Sequence, residues 1–222
     1  MTSAEIYSEL KKEILHLDLE PGTMISEIEL TQRFHISRTP IRDVIKRLVS
    51  EGLLEVRPHV GSFVSLIDME KVSDTIYIRQ TLETRVLKEL CMNFSLQDAL
   101  PLQQILGQQA VFISKQTDSD FAPWEFMQLD DSFHGKLYEL CGKNGVWQTI
   151  CSLNHHYQRF RTLLVRYHSD PIDVLLAQHK QMLDDLINHD ITSLKKHTAE
   201  HITSGIHRSS EIMMSQAAFF KI

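Results

Sequence analysis

The sequence predicts a mainly α protein: an N-terminal helical module closed by a β-hairpin, then an all-α antiparallel bundle of about six helices. Three observations point there. Glycine and proline are scarce, eight and six in 222 residues, so helices are rarely interrupted. Apolar residues recur at helical spacing over most of the chain. Alternation with a period of two is confined to two short runs between Leu53 and Ser65.

The first helix is expected over 3–17. Ser3 can cap it, and Ile6, Leu10, Ile14 and Leu17 share a face. The LEPGT segment (Leu19 to Thr23) breaks it with Pro-Gly turn chemistry. Ser26 opens a short helix, with Glu29 three residues on as in a capping box. After a turn at His35-Ile36, Ser37 caps a third helix whose first turn holds Pro40, where a missing N–H costs nothing. Ile41, Val44, Ile45, Leu48 and Val49 form its buried stripe, and Glu51-Gly52 ends it. Leu53–Arg57 and Ser62–Ser65 then flank Pro58-His59-Val60-Gly61 as a hairpin. That order is a winged helix-turn-helix filling residues 1–67.

Asp68 to Lys71 read as a junction. Helices are expected at 72–93, 96–116, 122–141, 144–167, 171–188 and 191–215, a second domain over 72–215. Breaks fall at Ser95, Thr117–Asp120, Gly142–Gly145, Ser169–Pro171 and Asn188–Asp190. A bundle of this length can bury a core of its own.

Composition excludes several classes. Apolar runs reach four residues, as at Val174–Ala177, far short of the about 20 that a membrane span needs. The N-terminus, MTSAEIYSELKKEIL, lacks the apolar stretch of a signal peptide, so a cytoplasmic protein with no membrane partner is expected. Cys91, Cys141 and Cys151 imply no disulfide framework. The net charge of −6 argues mildly against nucleic acid. It is an average, however: residues 33–57 hold six Lys/Arg against three Asp/Glu. The local field sets attraction to phosphate, not the total.

In a helix-turn-helix the second helix enters the major groove with its N-terminal residues toward the bases. Here those are Ser37, Arg38, Thr39 and Arg42, with Lys46 continuing the face. Either arginine can read guanine bidentately or bind phosphate. Arg33 and Arg57 are phosphate candidates, and Gly61 lets the wing backbone approach closely. The alternative is a helical module that binds protein, with these arginines simply solvated.

The run SEIELTQRFHISRTPIRDVIKRLVSEGLLEVRPHVGSFV resembles the N-terminal winged helix of the GntR superfamily of bacterial transcription regulators. The resemblance covers the whole module. It implies double-stranded operator DNA as partner, contacted by Arg38, Thr39 and Arg42, with wing contacts near Gly61. Ile28 and Val60 depart from the family pattern, which often has Arg at the first position and a polar or basic residue at the second.

Twelve histidines are many for this length, and nine lie at or beyond His134. Asp130 and His134 are i, i+4 on one helix, beside the apolar stripe of Phe133, Leu137 and Leu140, so both point inward. An inward Asp needs a partner: a cation, or a protonated His134. His179 and His201 lie at similar distances either side of the turn near residue 189, so an antiparallel pair brings them to one height. Histidines and a carboxylate converging this way are metal-ligand geometry, for zinc before nickel or manganese. His197 and His201 are also i, i+4 and offer another pairing without Asp130.

IRQTLETRVLKELC, LDDSFHGKLYELCGKNGVW and the QHKQMLDDLINHD…HTAEHI segment resemble the FCD-type effector domain of the same superfamily, over about 72–210. In its metal-binding members an Asp, a His four residues later and two further His hold a divalent ion. The matching residues are Asp130, His134, His179 and His201.

Arg79 either pairs with the carboxylate of a small organic acid or makes a salt bridge with Glu83 at i+4. Arg161, with Arg159, is a weaker effector candidate. The chain is read as a homodimeric regulator, a repressor answering to a small carboxylate, and not as an enzyme. A metal-dependent enzyme is one rival; no separate base, nucleophile or phosphate loop accompanies the histidines. A regulator whose histidine site is only structural is the other.

Overall fold

In the computed structural model of the chain the described residues are 1–116, 122–153, 155–167 and 171–221. They divide into two units, Met1–Met69 with Gln216–Ile222, and Glu70–Ser215.

The first unit opens with α1 (Ser3–His16). Its cap is Thr2, one residue before the expected Ser3. Thr2 has extended backbone and forms a reciprocal capping box with Glu5. Strand β1 (Met24–Ile25) precedes α2 (Glu27–Phe34), which Ser26 caps by accepting from the Glu29 N–H. His35 turns the chain in the left-handed region at φ 51°, a conformation histidine enters more readily than most side chains. Then comes α3 (Arg38–Ser50), whose Ile41, Val44, Ile45 and Leu48 are buried. Both α1 and α2 pack on α3. Tyr7 donates to Glu51, and Lys11 reaches the same carboxylate at 2.7 Å, tying α1 to the end of α3.

The wing consists of β2 (Leu54–Arg57) and β3 (Gly61–Val64), antiparallel with Leu54 opposite Val64 and Arg57 opposite Gly61. Strand β1 joins on the other side of β3. A second, two-stranded sheet pairs β4 (Ile67–Asp68) in parallel with β5 (Phe220–Lys221), so the end of the chain belongs to the winged unit. Lys221 bonds Asp68 at 2.9 Å, and Phe220 is buried.

The second unit holds α4 (Met69–Met92), α5 (Leu96–Lys115), α6 (Pro123–Leu140), α7 (Asn144–Leu153), α8 (His155–Arg166), α9 (Ile172–Ile187), α10 (Ile191–Arg208) and α11 (Ser210–Ser215). The expected helix 144–167 is two helices, on either side of residue 154, which lies outside the described residues. The expected helix 191–215 ends at Ser209, whose hydroxyl bonds the Ile206 carbonyl before α11 begins. The breaks expected at Thr117–Asp120 and at Ser169-Asp170 lie outside the described residues. Ser95 caps α5 in a capping box with Asp98.

A buried cluster from α4, α5, α6, α9 and α10 forms the core, with Leu87, Leu102, Phe133, Leu137, Met182 and Leu194 among its members. Helix α5 packs on α6 and α9, and α9 on α10. Helix α7 crosses α6 at Gly135, where a Cβ would lie 2.8 Å from Trp147 Nε1. No helix among the described residues is long and apolar enough to cross a membrane.

Candidate functional site

Three helices bring four buried side chains to one point: Asp130 and His134 from α6, His179 from α9 and His201 from α10. One ligand-type atom from each lies within 4.8 Å of all the others. His134 Nε2 is 3.0 Å from His201 Nε2, which is 3.2 Å from His179 Nε2. Asp130 Oδ1 is 3.3 Å from His179 Nε2. The rival pairing of His197 with His201 is absent from this arrangement, because His197 Nδ1 sits 2.7 Å from Asp185 instead.

The opposite ring nitrogens each face an oxygen. His179 Nδ1 is 3.0 Å from Gln109 Oε1. The Gln109 amide is fixed because its Nε2 donates to the Leu129 carbonyl, so Oε1 can only accept from His179. His201 Nδ1 is 3.0 Å from Gln178 Oε1. His134 Nδ1 is 2.8 Å from Glu83 Oε2, at ion-pair distance but outside hydrogen-bond alignment. With a proton on each Nδ1, the tautomer that the glutamine partners select for His179 and His201, three Nε2 lone pairs and a carboxylate converge. That donor set fits a divalent cation, with each imidazole oriented from behind by a second residue.

The electrostatics agree. Burial pushes His179 below the ordinary imidazole value despite the pull of Asp130. Burial, then the His179 and His134 rings, push His201 well below it. Burial acts to raise the Asp130 carboxyl, but the contact with the His179 ring and the Arg161 charge outweigh it and hold it well below the usual range. The cluster therefore keeps His179 and His201 neutral beside an ionised carboxylate, the state in which these groups bind a metal.

A cleft with about 410 Å³ of empty space, including its open mouth, adjoins the cluster; Arg79, Asp130, Tyr157, Arg161 and His201 are its polar lining. Ile76, Met127, Phe160 and Leu164 are among its apolar lining. Arg79 makes the salt bridge that was one of its two expected roles, Nε to Glu83 Oε1 at 2.6 Å, both side chains buried. It also faces the cleft. Its Nη1 donates to the Tyr157 oxygen at 3.1 Å, and Nη2 has no hydrogen-bond partner. Arg161 bonds Asp130 at 2.5 Å and Asp131 at 2.6 Å, leaving Nε without a hydrogen-bond partner. Arg159 does not line the cleft; it lies 3.1 Å from His156.

On the winged unit, Ser37, Arg38, Thr39, Arg42 and Lys46 are all exposed along the start and one side of α3. Ser37 sits at the N-cap but its side chain caps nothing, which leaves the hydroxyl available. Arg42 pairs with Glu27 at 2.9 Å, and Lys46 lies 3.9 Å from Asp43. Arg33 is engaged by Glu9 and Glu13 of α1. Arg57 bonds Glu55 and stacks 4.3 Å over the Phe63 ring. Gly61 has φ 152° at the wing turn, and His59 before it φ 62°. Ile28 and Val60, the two departures from the family pattern, are both exposed.

Comparison with known proteins decides the family. Residues 2–64 match the bacterial regulatory proteins of the gntR family, and residues 74–204 match the FCD domain. The chain belongs to the GntR family. It is a bacterial transcription regulator with an FCD domain, and its helix-turn-helix is a DNA-binding module. Among its relatives is an HTH-type transcriptional regulator in an unstable DNA locus of Streptomyces ambofaciens, 33% identical over 87% of this chain and 80% of that protein. The HTH-type transcriptional repressor RspR of Escherichia coli is 31% identical over 89% of this chain and 84% of its own length. The solved structure of E. coli McbR/YncC, 20% identical, shares the fold over 97% of this chain and 98% of its own with a TM-score of 0.68.

Within this GntR-family chain, sequence reasoning missed the residues behind the histidines. Glu83 was visible only as the i+4 partner of Arg79. Gln109 carries no periodic or motif signal, Gln178 enters only as the first residue of the QHKQMLDDLINHD segment, and Tyr157 reads as one more core aromatic.

Proposed function

We propose that this regulator is a homodimeric cytoplasmic repressor whose operator affinity responds to a small carboxylate bound beside a divalent ion in the helical unit. The observation that carries the reading is the convergence of three imidazole Nε2 atoms and Asp130, each imidazole faced from behind by Glu83, Gln109 or Gln178. Asp130, His134, His179 and His201 would hold the ion. Three imidazoles and one carboxylate favour zinc over nickel or manganese. The ion would supply Lewis-acidic attraction for a carboxylate.

The charge balance supports an anion as effector. Around the cleft, Arg79 and Arg161 stand against Glu83, Asp130 and Asp131, a net single negative charge. A divalent ion turns that into a net single positive charge in a largely buried site, and one carboxylate neutralises it. Arg79 Nη2 and Arg161 Nε are unused donors on side chains that line the same cleft.

On the DNA side, Arg38, Thr39, Arg42 and Lys46 would face the operator, with Ser37 at the helix entry and Arg57 and Gly61 at the wing. Arg33 reaches a phosphate only by leaving Glu9 and Glu13. Two-fold operators call for two copies. The effector shifts operator affinity only as far as it prefers one arrangement of the dimer over another. The repressor named among the relatives supports that sign of regulation.

A thermal-shift screen of small carboxylic acids, run with and without chelator, tests this reading. The expected result is stabilisation by a subset of acids that vanishes with chelator. Equal stabilisation in both conditions contradicts an effector that depends on the ion.

A further inference from the structure

Arg79 and Glu83 sit one turn apart on α4, and His134 faces them from α6. All three are at most 2% exposed. The Glu83 carboxylate is divided between two neighbours. Oε1 lies 2.6 Å from Arg79 Nε, and Oε2 lies 2.8 Å from His134 Nδ1. Arg79 in turn presents Nη2, which has no hydrogen-bond partner, on a side chain lining the cleft. His134 turns its other nitrogen to the ligand cluster.

We propose that Glu83 is a positioning residue that couples anion binding at Arg79 to cation affinity at His134. This rests on the reading of Asp130, His134, His179 and His201 as a cation site. The mechanism is competition for one buried charge. A carboxylate behind a metal-binding imidazole raises the donor strength of the far nitrogen. Glu83 serves His134 this way only to the extent that Arg79 does not neutralise it. An anion arriving at Arg79 Nη2 takes up part of the guanidinium charge and leaves more of Glu83 for His134. Low local dielectric strengthens this shift, because all three side chains are at most 2% exposed. The linkage is reciprocal: a cation at the cluster strengthens anion binding by the same factor.

The two substitutions therefore act in opposite directions, which a merely structural salt bridge would not produce. The test measures zinc affinity of the full chain by competition with a chromophoric chelator, with acetate or with chloride at matched ionic strength. Glu83→Gln is expected to weaken zinc binding about 10- to 100-fold. Arg79→Gln is expected to strengthen it, since Glu83 is then wholly available. Acetate is expected to tighten zinc binding in the wild type about fivefold or more, and by clearly less in Glu83→Gln. Glu83→Gln strands a buried cation, so the double variant Arg79→Gln/Glu83→Gln, which removes both charges, guards against misfolding; it is expected to bind zinc as weakly as Glu83→Gln. Zinc affinity unchanged in Glu83→Gln and in the double variant, or moving the same way in Arg79→Gln and Glu83→Gln, overturns the proposal. So does an acetate effect as large in Glu83→Gln as in the wild type. A wild type that binds zinc without any response to acetate overturns the coupling and leaves the cation site standing. A wild type that takes up no zinc overturns the site, and the coupling falls with it.

Discussion

His134 Nε2 lies 3.0 Å from His201 Nε2, across 67 positions of sequence and from two different helices. Each ring has its Nδ1 turned to an oxygen of another residue, Glu83 for His134 and Gln178 for His201. With both Nδ1 atoms protonated, the facing nitrogens are bare and repel unless something positive lies between or beside them. The rest of the site follows from that constraint: a third imidazole, an ionised Asp130, and a surrounding of buried, paired charge.

The metal-free bundle should be acid-sensitive. His179 and His201 bind protons less readily when folded than an unfolded imidazole, which titrates near about 6.5. Below that value the unfolded chain gains protons that the folded one refuses, so stability falls as pH falls. Above it neither state is protonated and this contribution is flat. Asp130, held low, adds a second loss below about pH 4. Thermal melts of chelator-treated protein between about pH 7.5 and about pH 5 are expected to show the first decline. A melting temperature independent of pH over that range contradicts it.

Arg38→Ala and Arg42→Ala should each weaken operator binding by about 1–3 kcal/mol where the arginine reads a base, with the helical unit still folded. Arg42 must first give up Glu27, whereas among the described residues Arg38 is paired with no carboxylate, so Arg38→Ala is expected to cost more. Gel-shift titrations at fixed salt measure both. Unchanged affinity in both variants removes α3 as the recognition helix.

Gly135→Ala places a Cβ against Trp147, which packs on the ring of His134 with centroids 6.1 Å apart. Overpacking of this kind costs about 1–3 kcal/mol. Denaturant unfolding is the check, and a variant as stable as the wild type would mean that Trp147 gives way freely.

Deleting residues 216–222 removes β5 and the burial of Phe220 beside β4. A fully buried side chain of this size contributes about 1.5–3 kcal/mol. The winged unit is expected to lose stability of that order. Hydrogen exchange across β4 and the wing reads this directly; unaltered protection there would show the tail to be ornamental.

Much of this was legible because each feature had a local cause. Pro40 in a first turn, Ser26 three residues before Glu29, and Gly61 at a hairpin announce the winged helix from single positions. His179 and His201 were placed by their spacing from the turn at His189. What stayed hidden had no local signal. Thr2 and Ser3 are equally able to cap, and only the return bond from Glu5 chooses Thr2. Strands of two residues such as β1, β4 and β5 are too short to alternate. The supporting Gln109 and Gln178 are ordinary helix residues until the fold sets them behind a histidine. The histidine excess itself divides by physics. Three converge on the cluster, while His35, His59 and His189 occupy left-handed turn positions that histidine tolerates.

Elemental analysis of the gently purified full chain, wild type beside the double variant His134→Ala/His179→Ala, tests the cation site most directly. About one divalent ion per wild-type chain is expected, and essentially none in the double variant. A wild type that stays empty after incubation with zinc, or a double variant that retains full occupancy, would contradict it.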